Sequence, residues 1–364
     1  VSGRLLRLVC TAAVAAGTAL APLPAAAAPE PEPRERSVTQ LLTDLQRLYQ
    51  EAEEATETYN ATEEKLKAKR AEVNRLDAAL SEVRLSLHDS RGAAGRLARQ
   101  QYQSSTDISP YVRLLLARDP QHAIEQGHVI GRLARGRART VGRLTGTERH
   151  ADELARRGRK ALDQQLTLAA RQKKERDAVR AKLHGVEELL ASLSAEQLTA
   201  LAEFEEKGVE KAQRELTTSG ALGEDARKPS TAGERALRYA RRQLGKPYEW
   251  GAEGPRTYDC SGLTSKAWAS AGTPIPRTSQ QQWARLPRVP LKRLRPGDLV
   301  LYFRGATHVA MYVGKGEVIE APRTGERIRV SPIAAHPLLG AVRPDDRGQA
   351  PATEATNASA FSGS

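Results

Sequence analysis

The 364-residue sequence predicts an α+β fold: a small antiparallel sheet with packed helices, preceded by a long α-helical antiparallel coiled-coil hairpin. Three observations predict it. Apolar residues recur at 4-3 spacing over eight heptads with no proline inside, a helical seam rather than a globular surface. A second proline-free stretch repeats that spacing more loosely after a cluster of chain breakers. The chain then changes to short apolar runs separated by Gly and Pro, and this last part holds all three tryptophans and the only methionine.

In chain order, Arg4 and Arg7 precede an alanine-rich apolar run from Leu8 to Leu23, followed by Ala25, Ala26, Ala27 and Ala28. That layout predicts a secretory signal peptide over 1–27, which on removal leaves no stable transmembrane segment. Residues 28–37 are expected to be disordered. Cleavage removes Cys10 and leaves Cys260 as the one cysteine of an exported chain, where a lone thiol is either an intermolecular bridge or a reactive group.

The arm is expected over 38–216. Its first seam runs Leu41, Leu45, Leu48, Ala52, Ala55, Tyr59, Thr62, Leu66, Lys69, Val73, Leu76, Leu80, Val83, Leu87, Ser90, Ala94 and Leu97, and fourteen of these seventeen positions are apolar. The second stretch, from about Gln121 to Leu216, is clearest at Val179, Leu183, Val186, Leu190 and Leu193. Asp107, Ser109-Pro110 and Asp119-Pro120 break the pattern between them, so two helices should turn back on each other there. Tyr111, Val112 and Leu114 to Leu116 are too apolar for a solvated turn; a short helix folded back on the hairpin and an exposed docking patch both fit. Residues Gly131 to Arg180 sum to +9, a solvated basic face with attraction for anionic polymers.

Thr217 to Ser230 has no apolar period and reads as a linker, and Thr231-Ala-Gly-Glu234 reads as a capping box opening the compact domain, 231–344. The Ala-, Ser- and Thr-rich segment 345–364 is expected to be a disordered tail.

Within the domain, Leu263, Ala267, Trp268 and Ala271 share a helix face, which places Cys260 at a helix N-terminus with Gly272 as the stop. Such a position stabilises a thiolate through the helix dipole and unsatisfied N–H groups, and predicts a lowered thiol pKa. The same N–H groups suit an oxyanion. A buried, inert cysteine is the plain alternative, but Asp, Ser and Gly around this one argue against an apolar site. A nucleophilic thiolate needs a base. The domain offers His308, at the start of an apolar strand, and His336, before a proline in a loop, which reads as surface. Glu320 follows in the next hairpin arm, either orienting the imidazole or facing water at a strand edge.

Taken together, Gly245-Lys-Pro-Tyr-Glu-Trp-Gly251, Asp259-Cys-Ser-Gly262, Pro276-Arg-Thr-Ser279, Pro296-Gly-Asp-Leu299, His308-Val-Ala-Met-Tyr312 and Glu320-Ala-Pro322 resemble the NlpC/P60 family of secreted, papain-like cysteine peptidases. The resemblance covers about the last third of the chain. It implies Cys260 as nucleophile, His308 as base and Glu320 as orienting residue, with Tyr248 lining the substrate or oxyanion site. Asp259 and Ser261 match positions used for the free amino end of a stem peptide. It further implies hydrolysis of peptidoglycan stem peptides, commonly at the D-glutamyl–diamino acid bond, and a secreted, cell-wall-associated protein. Ala252 departs from a glycine usual after the Trp-Gly pair. The arm-plus-linker layout resembles cell-division hydrolases of the family, in which the arm restrains the peptidase or docks it to a membrane activator of the FtsEX type.

No metal or cofactor is implied: there is no H-E-x-x-H, and His122 and His128 lie six apart. The net charge of +13 suggests nucleic acid only superficially, since no aromatic residues interleave with the basic ones and export leads away from it. The competing reading is a non-catalytic wall-binding or scaffold protein with a degenerate domain, against which the intact Cys, His and Glu set weighs.

Overall fold

The computed structural model describes residues 37–104, 112, 115–116, 119–223 and 227–346. The expected signal peptide, nearly all of 28–37 and of the tail, and most of the Ser104–Pro120 segment lie outside the described residues.

Helices α1 (Val38–Ser104) and α2 (Pro120–Ala191) form the arm. They run antiparallel, because Glu51 pairs with Lys182 at 2.6 Å near one end and Arg91 with Glu148 at 3.2 Å towards the other. The seam expected from the sequence is largely the buried line: Leu41, Leu45, Ala52, Thr62, Leu66, Val73, Leu76 and Ser90 are all inside. Val73 and Leu76 pack with Leu154 and Ala161 of α2. Asp119 caps α2, accepting from the His122 N–H at 2.8 Å, with Pro120 placed where no N–H is needed.

The second stretch is not one helix, as its proline-free run suggests. It breaks after Ala191, and Ser194 starts α3 (Ala195–Thr218) with a reciprocal capping box: Ser194 accepts from the Gln197 N–H while Gln197 reaches back to the Ser194 N–H. The break turns α3 onto the compact domain. There Gln213 donates to Gly316 O and accepts from the Ala334 N–H, and Arg323 makes a paired contact with Glu205 while lying 4.5 Å over the Tyr49 ring. The expected linker is partly structural too, since Leu222 packs against the domain.

The domain opens with α4 (Thr231–Arg241), whose cap is Ser230 rather than Thr231: the Ser230 hydroxyl takes the Gly233 N–H. Asp345 bonds to Ser230 and Arg295, so the first residue of the expected tail belongs to the domain. After α5 (Cys260–Ser270) and α6 (Ser279–Arg285) come β1 (Arg288–Val289), β2 (Leu299–Tyr302), β3 (His308–Gly314), β4 (Glu317–Glu320), β5 (Arg329–Pro332) and β6 (Leu338–Val342). They build one antiparallel sheet in the order β1-β6-β2-β3-β4-β5.

Strand side chains alternate between the two sheet faces, and both faces are covered. Leu299, Leu301, Val309, Met311 and Ile319 point towards α4 and α5, where Trp268, Leu263 and Leu237 complete the core. Val300, Tyr302, Ala310, Tyr312 and Val318 fill the other face, under Leu216 of α3 and Leu222. Burial on both faces explains why β2 and β3 read as continuous apolar runs in the sequence. Among the described residues, no helix is long and apolar enough to cross a membrane.

Candidate active site

Cys260 is the first residue of α5, with Asp259 as its cap: the Asp259 carboxylate accepts from the Gly262 N–H at 2.6 Å. Gly262 is a steric requirement, since a Cβ there would stand 2.2 Å from the Ala252 carbonyl oxygen. That same carbonyl accepts the Asp259 N–H at 3.0 Å. Ala252, the departure from the usual glycine, therefore holds the entry to α5 through its backbone and leaves every polar partner in place.

Three separate elements converge on the thiol. His308 at the start of β3 and Glu320 at the end of β4 are fully buried, and the imidazole Nε2 lies 2.9 Å from Glu320 Oε2. Nδ1 is thereby left for the Cys260 side. Glu320 is itself held, accepting from the Ser331 hydroxyl at 2.5 Å. Burial would raise its pKa, but the hydrogen bonds from His308 and His336 hold the carboxyl well below its usual range. Tyr248 is buried beside the same group of charges; desolvation, then the nearness of Cys260 and Asp259, keeps its phenol protonated far above the ordinary value.

His336 is not the surface residue that its loop position suggests. Its side chain is only 21% exposed, Nε2 stands 3.3 Å from Glu320 Oε2, and its ring lies 4.9 Å from that of His308. Arg277 is a second residue beyond the sequence-based set. It grips both oxygens of Asp259, at 3.0 and 2.6 Å, and donates to the Ser261 hydroxyl at 2.8 Å. Its signal was present in the Pro276-Arg-Thr-Ser279 motif.

The largest group of residues that sequence reasoning missed comes from the arm. Helix α1 lies across the site and sends in Glu53, Glu57 and Asn60. Glu57 is 1% exposed; it accepts from the Ser261 hydroxyl at 2.6 Å and from the Ser279 N–H at 2.7 Å. Asn60 donates to Asp259 Oδ2 at 3.1 Å. Glu53 Oε1 stands 3.3 Å from His308 Nδ1, an ion pair without the alignment of a hydrogen bond. Tyr59 adds an edge contact to Trp250 at 5.2 Å, and Lys67 pairs with Glu253 at 3.1 Å. Nothing local in α1 marks these residues, because their partners lie about two hundred residues away.

The electrostatics follow from that cover. Burial pushes the Cys260 thiol up to about 11, more than the His308 contact lowers it, and the Glu57 and Asp259 charges add to the rise. This reverses the lowered thiol pKa expected from the helix N-terminus: desolvation outweighs the dipole. Burial also tends to lower the imidazole pKa, but Glu53 foremost, with Cys260 and Glu320, holds His308 well above its ordinary value. Glu57 is raised to about 7, by burial first and by the Asp259 charge second, with Arg277 opposing. In this arrangement His308 holds its proton between two carboxylates and the Cys260 thiol keeps its own.

Residues 245–339 match the NlpC/P60 family. The chain is 42% identical over 114 residues to a probable endopeptidase of Corynebacterium glutamicum, covering 31% of this chain and 54% of that one. It is 33% identical over 136 residues to the peptidoglycan endopeptidase RipA of Mycobacterium tuberculosis, covering 32% of this chain and 29% of that one. The matches thus span about half of the first relative's length and less than a third of the second's. A solved structure of a mutated resuscitation promoting factor interacting protein RipA superposes with a TM-score of 0.28 at 30% identity, over 30% of this chain and 60% of that one.

Proposed function

From a C-terminal domain of the NlpC/P60 family joined to a long helical arm, we propose that the chain is a secreted, cell-wall-associated cysteine endopeptidase that cleaves peptidoglycan stem peptides and is restrained by its own arm. The convergence of Cys260, His308 and Glu320 from α5, β3 and β4 carries this reading. With Nε2–H donated to Glu320, the Nδ1 lone pair of His308 can take the thiol proton. The thiolate then attacks the scissile carbonyl, and the oxyanion is met by the first-turn N–H groups of α5 and by the protonated Tyr248. His308 returns its proton to the leaving amine, and water resolves the thioester by the same path.

The scissile bond is the D-glutamyl–diamino acid bond. Digestion of defined muropeptides, read by mass spectrometry, is expected to yield fragments split there; products split only at glycan bonds, or none from an arm-released variant, would refute the assignment.

Restraint follows from which groups the arm occupies. Asp259 and Ser261, the positions matched to the peptide's amino end, are engaged by Asn60 and Glu57, and His308 faces Glu53. A membrane activator of the FtsEX type, engaging the arm, is the partner that would release it.

Docking should weaken as pH rises. The carboxyl of Glu57 faces Asp259, Arg277, the Ser261 hydroxyl and the Ser279 N–H, and its pKa is about 7 when docked against about 4.5 when the arm is free. A carboxyl raised on docking favours the docked state below its free value and loses that contribution as pH rises through its docked value. His308 is faced by Glu53, Glu320, His336 and Cys260; of these only Glu53 comes with the arm, and its charge favours the imidazolium. Cleavage by the full chain is therefore expected to rise about tenfold between about pH 6 and about pH 8. Glu57→Gln, which imitates the protonated form, should flatten that rise; parallel pH profiles for the two proteins would count against the linkage.

A further inference from the structure

His308, Glu320 and His336 place one nitrogen or oxygen ligand atom each within 4.8 Å of one another. Donors of a tetrahedral zinc ion stand about 3.3–3.5 Å apart, with metal–ligand distances of about 2.0–2.2 Å. The Glu320 Oε2 to His308 Nε2 and His336 Nε2 distances, 2.9 and 3.3 Å, are already close to that. The remaining contraction, about 1.5 Å at most, falls to His336, the partly exposed member, on a loop before Pro337.

The surroundings are those of a metal site. The other oxygen of Glu320 is fixed by the Ser331 hydroxyl, with Arg329 at 3.7 Å. Such outer contacts orient a ligating carboxylate. On the opposite side of His308, Nδ1 faces Glu53 of the arm at 3.3 Å. A histidine that binds a metal through one nitrogen commonly gives the other N–H to a carboxylate. His336 and Glu53 both line a cavity of about 770 Å³ between α1, α3 and the domain, which supplies an entry path and room for water as a fourth ligand.

We propose that the closed chain binds one divalent transition-metal ion of the zinc class through His308 Nε2, Glu320 Oε2 and His336 Nε2, with Glu53 of the arm as the outer partner of His308. Binding displaces the Nε2 proton of the imidazolium to solvent and leaves the proton on Nδ1, facing Glu53. An imidazole so held has no lone pair towards Cys260, so the ion is an inhibitor of the thiol and no participant in hydrolysis. Because Glu53 belongs to the arm, metal binding and arm docking reinforce each other by the same factor. The site does not depend on what the peptidase cleaves.

The test uses the full chain carrying Cys260→Ala, titrated calorimetrically with zinc chloride in an excess of chelating buffer. One ion per chain is expected, with affinity falling at least about tenfold in His336→Ala and about tenfold in Glu53→Gln. Circular dichroism establishes that each variant is folded. Cobalt(II) substituted into the unmutated chain should give a visible ligand-field spectrum without thiolate charge transfer, a readout that needs no variant. Unchanged affinity in folded His336→Ala, loss of binding on Cys260→Ala, or a thiolate band with cobalt would each overturn the proposal; the last two would put the ion on the cysteine side of His308.

Discussion

Charge reversal at two arm positions, Glu53→Lys with Glu57→Lys, is expected to raise stem-peptide cleavage about 100-fold or more over the parent chain. Docked, each lysine would face a cationic or proton-bearing group: Lys at 57 meets Arg277, and Lys at 53 meets His308. A buried charge left without its partner costs about 3–5 kcal/mol, and an equilibrium moves a hundredfold for somewhat less than 3 kcal/mol. Undocked, both side chains sit on the surface of α1 and cost little. The core on the α4 and α5 side of the sheet is unaffected, since Leu263, Trp268, Leu299 and Met311 pack there without any residue of α1. The variant is compared with the parent on one muropeptide at equal concentration. A rate equal to the parent's, in a protein with unchanged circular dichroism, would show that α1 does not restrain the site.

The second large effect is read in that released background. Adding Cys260→Ala should lower cleavage at least about a thousandfold, because acyl transfer loses its nucleophile and no other thiol exists among the described residues. Stability should change little, since alanine keeps the helix start and the Asp259 cap, which bonds to the Gly262 N–H rather than to the thiol. The released background matters: in the closed chain a low rate with either residue would say nothing about Cys260. Retention of full activity by the triple variant would remove the cysteine mechanism while leaving the arm's restraint standing.

How much of this was legible in the sequence divides along contact distance. The start of α5 at Cys260, its stop near Gly272 and the β3 strand beginning at His308 all rest on patterns a few residues long, and they lie where those patterns put them. The pairing of His308 with Glu320 crosses one hairpin and could be reasoned from strand alternation. The break at Ser194 carried a readable capping signature that the absence of proline concealed. Glu53, Glu57 and Asn60 were not legible. On a charged helix, a carboxylate destined for burial looks like its solvated neighbours until the opposing surface is known. His336 escaped for the same reason: a histidine before a proline gives no hint that Glu320 and His308 lie behind it. The lowered thiol pKa was sound reasoning for an open site, and it failed because the cysteine is buried and because a carboxylate from about two hundred residues upstream, Glu57, adds to the rise.

Helix α1 runs without interruption from the residues that plug the site to Ser104. At a rise of about 1.5 Å per residue, its far end stands about 66 Å beyond Asn60. The plug itself spans Glu53 to Asn60, about 10 Å. Lys67 and Glu253 pair across arm and domain at 3.1 Å just beyond the plug, and the rest of α1 extends away from the site. Under the proposed restraint, the surface that a releasing partner grips and the peptide that is cleaved therefore meet the chain at opposite ends of one helix.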